Sequence, residues 1–402
     1  MARVVILGGG YAGVTALRTL VHQHRGDLEI VLVDRHPYHY LQTEVYDFIA
    51  NKTNISDITI SLVALALSFG KNVQFLQRKI ESIDFDRRLL IDEGGEELSY
   101  DYLILATGSR TFIDSSIPGL AERAHGVKSL VNALSFKQQF ERAIYNKIEQ
   151  EGICERRGEF HVVIGGAGLS GVEIATAMAD YSDRLFSRSG FVCSGISITL
   201  ISSGESILPG TDPFFVTKAQ KKLAKLGVKI VTGKRVVEVG EKEIFFADDT
   251  SLPFDFLIWT GGIIGAPLIR SLELAKNRRH QLIVEPTLQL PGYPEVFVVG
   301  DAAELRDLEG RILPPTAYVA ELSGRHAAEN VILMMRGKPP RVASLKTKGM
   351  VVALGLSEGA AKIGSLHVGG FAAHLIKAAI VHFYRHPLAL RTKMVLVKGG
   401  TP

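Results

Sequence analysis

The 402 residues predict an α/β fold of two Rossmann-like dinucleotide-binding domains followed by a basic, amphipathic C-terminal region. Three observations carry this expectation. A strand–glycine–helix segment occurs twice in register. Further β-branched runs end in small residues, as strands do where a doubly wound sheet meets its ligand. Residues 341–402 then change character and become cationic and apolar together.

The first copy reads Val5-Ile6-Leu7-Gly8-Gly9-Gly10-Tyr11-Ala12-Gly13-Val14, and it recurs 158 residues later as Val163-Ile164-Gly165-Gly166-Ala167-Gly168-Leu169-Ser170-Gly171-Val172. Each copy is a β-branched run, GxGxxG and an alanine-rich helical stretch. Gly8 and Gly166 permit the tight turn, and Gly10 and Gly168 let backbone amides approach a pyrophosphate. Gly13 and Gly171 let helix and strand pack closely, leaving the phosphate on the positive helix end. A second strand, Glu29–Val33, ends in Asp34, 21 residues after Gly13, where a carboxylate can accept from an adenosine ribose. The matching strand of the second copy, Ser197–Ile201, ends instead in Ser202-Ser203, with no acid.

Tyr102–Leu105 leads into Ala106-Thr107-Gly108-Ser109 and closes the first unit, and Phe256–Trp259 leads into Thr260-Gly261-Gly262 and closes the second. Val296–Val299 leads into Gly300-Asp301-Ala302 and follows both. Asp301 could bind a polyol chain or cap a helix. Two such folds imply two dinucleotides, or one fold kept as a relic.

Composition narrows the chemistry. Hydrophobic residues at 46% and charged residues at 22% exclude a disordered chain. The only two cysteines, Cys154 and Cys193, exclude a disulfide scaffold, a four-cysteine metal site and any CxxC or CxxxxC redox centre, which suits a reducing compartment. The opening Met-Ala runs directly into Val4–Leu7, so no signal peptide is expected. No stretch reaches the roughly 18 apolar residues of a membrane span. The close histidine pairs His36/His39 and His382/His386 lack a third ligand nearby, so no metal is expected. No GxSxG elbow or HExxH run supports hydrolysis.

Together these motifs resemble the two-dinucleotide-binding flavoprotein superfamily, with its glutathione-reductase-like fold. Leu313-Pro314-Pro315-Thr316-Ala317 and the basic apolar tail are similar to those of type II NADH dehydrogenases, single-subunit, non-proton-pumping enzymes that pass electrons from NADH through FAD to a quinone. The resemblance implies that Gly8, Gly10, Gly13 and Asp34 hold the FAD pyrophosphate and ribose, that Thr107 and Gly108 lie near the flavin, and that Asp301 and Ala302 meet the ribityl chain. It implies that Gly166, Gly168, Gly171, Ser202 and Gly261 hold NADH or NADPH, and that Glu173 helps position the nicotinamide. It places an FAD-binding domain at 1–112 and 285–335, a nucleotide-binding domain at 113–284 and a membrane-association region at 336–402. It also suggests a homodimer. Sulfide:quinone oxidoreductases need a late cysteine that this chain lacks, and Cys154 in its charged loop reads as bland.

The departures matter as much. The acid that selects the 2′-hydroxyl of NADH is replaced by Ser202, which opens the site to NADPH. The family's AQxAxQ motif reads Ala317-Tyr318-Val319-Ala320-Glu321-Leu322, so both glutamines are gone. Tyr318 is the expected quinone-side residue, for a quinone of the menaquinone or ubiquinone class. A soluble diaphorase, a reductase of a protein acceptor and a non-catalytic flavoprotein scaffold remain the alternatives.

The net charge of +4 is unevenly placed. Residues 341–402 carry nine basic residues against the single acid Glu358, a net of +8 that leaves −4 for residues 1–340. Phe371, Leu375, Ile376, Ala379, Ile380 and Phe383 recur at helical spacing, with Lys377 and Arg385 placed to snorkel. The expectation is peripheral attachment to an anionic membrane surface through residues 371–398, on the cytoplasmic face of the inner (plasma) membrane, with no nucleic-acid partner. A helix packed on the body or on a dimer partner is the alternative.

Overall fold

The computed structural model describes residues 1–24, 28–150, 160–189 and 196–399. Cys154 and Cys193 lie outside these residues. Two parallel sheets organise the chain. The first runs, in spatial order, Gln289–Leu290, Tyr293–Val298, Tyr102–Leu105, Ala2–Leu7, Leu28–Asp34 and Val73–Gln77, parallel except for the edge pair 289–290/293–298. The second runs Ala124–His125, Phe256–Trp259, Phe160–Gly165, Ile196–Ile201 and Lys229–Val231, parallel throughout. The central strands are fully buried, Val4, Val5, Ile6, Val162 and Ile164 included, which is why they read as unbroken apolar runs rather than alternating ones.

The first sheet takes a strand from late in the chain, because Val296 pairs with Leu103 and Val298 with Leu105. That pairing brings the Gly300 turn to the same end of the sheet as Gly8 and Thr107. The first nucleotide helix, Tyr11–Gln23, packs on the helix Ala317–Met335 so closely that a Cβ on Gly324 would lie 2.1 Å from the Ala12 carbonyl oxygen.

The C-terminal region holds a three-stranded antiparallel sheet, Gly349–Ala353, Gly359–Ile363 and Leu366–Gly370, then a long helix, Phe371–Gly399, that contains Pro387. The sheet is fastened to the second unit. Lys222 Nζ meets Glu358 at 2.7 Å, the Leu356 amide donates to Asp180 at 2.7 Å, and Lys362 meets Asp212 at 2.5 Å. The helix is fastened mainly to the first unit, through Arg385 on Asp57 at 2.7 Å, the Arg391 guanidinium 4.9 Å from the Phe69 ring centre, and the buried Leu388.

Candidate nucleotide and flavin site

Both glycine motifs show the same division of labour in space. Gly8 has φ +119°, and a Cβ there would lie 2.3 Å from the Ala106 carbonyl oxygen. A Cβ on Gly13 would lie 1.8 Å from the Gly8 oxygen, whereas Gly10 has nothing within 4 Å. The second motif repeats this: Gly166 at φ +108° abuts Thr260, Gly171 abuts the Gly166 oxygen at 1.9 Å, and Gly168 faces open space. The first helix begins at Gly10 without a side-chain cap, and neither nucleotide helix has an acid in its first turn. Their leading amides stay available to an anion.

Asp34 ends its strand with one oxygen accepting the Gly9 amide at 2.6 Å and the other the His36 amide at 2.8 Å. Ser202 holds the equivalent position. Its hydroxyl oxygen accepts the amide two residues on, Gly204 at 3.2 Å, and donates to the Ser206 carbonyl at 2.9 Å. It is buried and committed to its own turn, and it makes no bond to the second glycine loop.

The flavin end of the first unit fits its cofactor. Thr107 Oγ1 is buried with no hydrogen-bond partner, and Gly108, at φ +67°, has nothing within 4 Å of its Cβ position. An orphaned hydroxyl beside an open glycine suits a polar ligand group. Asp301 does not cap a helix. Its Oδ2 accepts from Ser109 Oγ at 2.6 Å and from Lys128 Nζ at 3.0 Å. The Gly300 amide is held by Ser323 Oγ at 3.0 Å. Ala302 is fully buried, backbone included. The space above Gly261 is filled by the Trp259 ring, 2.7 Å from where its Cβ would stand, so this glycine serves the tryptophan's packing.

Glu173 is not a surface acid. It accepts the Ala353 amide at 2.9 Å and faces Lys377 of the C-terminal helix at 3.6 Å, the two side chains only 12% and 17% exposed. This corrects the expectation that Lys377 and Arg385 snorkel toward lipid: both turn inward onto carboxylates, Lys377 to Glu173 and Arg385 to Asp57. Burial pushes the Glu173 carboxyl up, against the pull of Lys377 and of the Ala353 amide. Burial would lower the Lys377 ammonium, but Glu173, Glu44 and Asp47 outweigh it and hold it above its ordinary range. Glu44, whose Oε1 has no partner, is also pushed up by burial. Burial raises the two acids and the ring of carboxyls raises the ammonium, so the lysine stays charged while the acids are pushed toward keeping a proton. A cleft of about 470 Å³ opens beside them, lined among others by Glu44, Asp47, Lys52, His374 and Lys377.

The two units meet here. The Tyr46 hydroxyl of the first donates to Ser170 Oγ, at the start of the second nucleotide helix, at 2.9 Å. On the other side of the first helix, Tyr11 and Tyr384 pack against the fully buried His39, whose Nε2 is 3.0 Å from the Tyr384 hydroxyl. Burial pushes His39 down to about 4, so it is neutral at pH 7. His36 stacks on Tyr38. Tyr318 sits half-buried in the first turn of the helix capped by Thr316, and Leu322 packs on the first core. The Tyr318 hydroxyl makes no hydrogen bond with a described residue. Sequence reasoning missed Lys128 and Tyr384, which belong to no local motif, and weighed His39 only as a metal ligand.

On the outer face of the C-terminal helix, Phe371, Leu375, Ile380, Phe383, Leu390 and Met394 are exposed, Phe383 to 76%. Among the described residues, no helix is long and apolar enough to cross a membrane.

The family model of the pyridine nucleotide-disulphide oxidoreductases matches residues 2–324. Demethylphylloquinone reductase NdbB of Synechocystis sp. is 31% identical over 396 residues, covering 96% of this chain and 92% of that protein. A type II NADH:quinone oxidoreductase of Staphylococcus aureus is 26% identical over 390 residues, 94% of each chain. In fold, the chain matches NDH2 from Plasmodium falciparum in complex with NADH, at a TM-score of 0.81 and 17% identity over 99% and 98% of the two chains. It also matches the sulfide:quinone oxidoreductase of Aquifex aeolicus, at 0.79 and 18% over 97% and 92%. Two glycine cradles in register, an orphaned threonine at the flavin end and these matches lead to one conclusion: the chain belongs to the pyridine nucleotide-disulphide oxidoreductase family and, within it, to the type II NADH:quinone oxidoreductases.

Proposed function

We propose that the protein is an FAD-dependent NAD(P)H:quinone oxidoreductase. The observation that carries this reading is the joining of two open glycine cradles across the Tyr46–Ser170 contact, which seats the start of the second nucleotide helix against the flavin unit. FAD, when bound, supplies a two-electron carrier between a hydride donor and the acceptor. The chain's own residues do the placing. Gly8, Gly10, Gly13 and Asp34 take the FAD phosphates and ribose, Thr107 and Gly108 border the flavin, and Asp301 and Ala302 take the ribityl chain. Gly166, Gly168 and Gly171 take the nicotinamide nucleotide, with Ser202 at its ribose and Gly261 behind it. Glu173, held by Lys377 and the Ala353 amide, orients the nicotinamide. Tyr318 faces the acceptor. The domains are 1–112 with 285–335, 113–284 and 336–402.

The names of the relatives support a quinone acceptor, and demethylphylloquinone reductase favours the menaquinone-like class over ubiquinone. Attachment to an anionic membrane surface, on the cytoplasmic face, is supported by the exposed row from Phe371 to Met394 and the cationic tail around it. A second copy on the same row, giving a homodimer, is the competing occupant. In an anaerobic titration, NADH or NADPH should bleach the flavin absorbance and a naphthoquinone should restore it. A flavin that bleaches but is indifferent to quinone refutes the acceptor. Ile380→Asp with Phe383→Asp should release the protein from anionic vesicles and leave its mass in light scattering unchanged. A halved mass with vesicle binding retained would assign the face to a dimer.

A further inference from the structure

Lys128 lies outside both glycine motifs, yet it occupies the junction of the two units. It stands three residues beyond the edge strand Ala124–His125 of the second sheet and two before the helix Leu130–Gln150. From there its ammonium reaches two groups of the first unit: Asp301 Oδ2 at 3.0 Å and Ser109 Oγ at 2.5 Å. Ser109 donates in turn to the same Asp301 oxygen at 2.6 Å. The Lys128 and Asp301 side chains are each only 18% exposed. The backbone around the lysine is tied to the first unit as well: the Tyr40 hydroxyl donates to the Val127 carbonyl at 3.1 Å and the Gln42 amide to the Lys128 carbonyl at 3.2 Å.

We propose that Lys128 is a positioning residue for FAD, acting through Asp301. This deepens the flavoenzyme reading above and rests on it. Ser109 and Lys128 both hold Oδ2, and Oδ1 makes no hydrogen bond with a described residue, so the carboxylate is clamped by one oxygen and presents the other to a polyol hydroxyl. Without Lys128 the aspartate would be a largely buried, uncompensated charge, free to rotate. The ammonium has a second effect. Hydride uptake from NAD(P)H brings two electrons and one proton to the bound flavin, which thereby gains one unit of negative charge. An unpaired Asp301 beside it would oppose that gain, and Lys128 cancels the opposition. Because the lysine belongs to the nucleotide unit and the aspartate to the flavin unit, the same contact fixes the two units against each other at the flavin.

The test measures FAD binding and flavin potential, not turnover. Apoprotein is titrated with FAD by fluorescence, and the midpoint potential of the bound flavin is read by equilibration with a reference dye. Lys128→Met should raise the FAD Kd at least tenfold and lower the two-electron potential by about 30 mV, the equivalent of a tenfold shift. Lys128→Arg, which keeps the charge, should restore the potential. In an Asp301→Asn background both effects of Lys128→Met should shrink, because the partner through which it acts is gone. FAD affinity and potential indifferent to residue 128, or effects of equal size in the Asp301→Asn background, would overturn the proposal. Should Lys128→Met fail to fold, Lys128→Gln against Lys128→Arg gives the same readouts. A wild-type chain that takes up no FAD overturns the flavoenzyme reading itself, which separates the two failures.

Discussion

Replacing Lys377 by methionine removes one charge from the junction and keeps most of the apolar stem, so its effect isolates the electrostatics. The ammonium stands 3.6 Å from Glu173 in a site where both side chains are under a fifth exposed. At an effective dielectric constant near 20 that separation corresponds to about 4–5 kcal/mol of attraction. Breaking a buried pair by removing one partner typically costs about 3–5 kcal/mol, most of it from the carboxylate left behind. The loss is self-limiting, because Glu173 and Glu44 are already pushed up by burial and can escape by protonation. A carboxyl raised above its unfolded value holds a proton that the unfolded chain releases, so its stabilisation is present below the unfolded pKa and is lost as pH rises through the folded one.

Lys377→Met should therefore lower stability by about 3 kcal/mol at pH 8 and by about 1 kcal/mol or less at pH 5. Urea unfolding of the variant and the wild type at both pH values measures this as a shift in midpoint at unchanged slope. Adding Glu173→Gln should recover at least half the loss at pH 8, because it removes the orphaned charge. On the reading proposed above, in which Glu173 orients the nicotinamide, stopped-flow bleaching of the flavin by NADH should slow about tenfold in Lys377→Met. A loss under 0.5 kcal/mol at pH 8, or one of the same size at both pH values, would refute the reasoning.

Burial pushes Glu321 up to about 7 against the opposing charges of Arg325 and Arg18, so Glu321→Gln should stabilise the protein by about 1–3 kcal/mol at pH 8 and not at pH 5; a gain at pH 5 would contradict the sign. Gly10→Val meets no atom within 4 Å and should leave the apoprotein's melting temperature within a few degrees while abolishing FAD uptake, whereas Gly13→Val meets the Gly8 oxygen at 1.8 Å and should fail to fold; normal FAD content in Gly10→Val sinks the cradle assignment. Ser202→Asp can accept the Gly204 amide as Asp34 accepts that of His36, and should raise the NADH to NADPH ratio of kcat/KM at least tenfold. An unchanged ratio would show that the nucleotide is selected elsewhere.

The parts legible in the sequence were those whose physics is local. A glycine is demanded by its own backbone angle or by an atom within a few residues of it in space, so Gly8, Gly13, Gly166 and Gly171 could be assigned roles from spacing alone. The end of a strand is local too, and Ser202 was found by comparing it with Asp34. The rest was hidden because it depends on pairings across long stretches of chain, Lys128 with Asp301 and Lys377 with Glu173. The C-terminal stripe shows the limit most clearly. Periodicity identifies which residues share a face, and the apolar row is indeed exposed. It does not say which lysines on the opposite face find a buried carboxylate, so Lys377, expected to face lipid, is instead paired with Glu173.

That correction changes what the C-terminal helix is for. Its inner face supplies Lys377 to Glu173, in the second turn of the second nucleotide helix, and Tyr384 to His39, while its outer face carries the uncovered apolar row. A helix with its side chains is only about 10–12 Å across, so in the reading proposed above the membrane surface and the hydride-transfer site are separated by one helix diameter. An appended anchor could be cut away without touching the chemistry. This helix could not, because removing it strips Glu173 of its counter-charge and His39 of its hydrogen bond. A truncation after Lys362 would therefore confound loss of attachment with loss of the site. Charges placed on the outer row at Ile380 and Phe383, which touch neither partner, separate the two: they should abolish vesicle binding while the rate of flavin bleaching by NADH stays at its wild-type value, and a coupled loss of both would show that the outer face is structural.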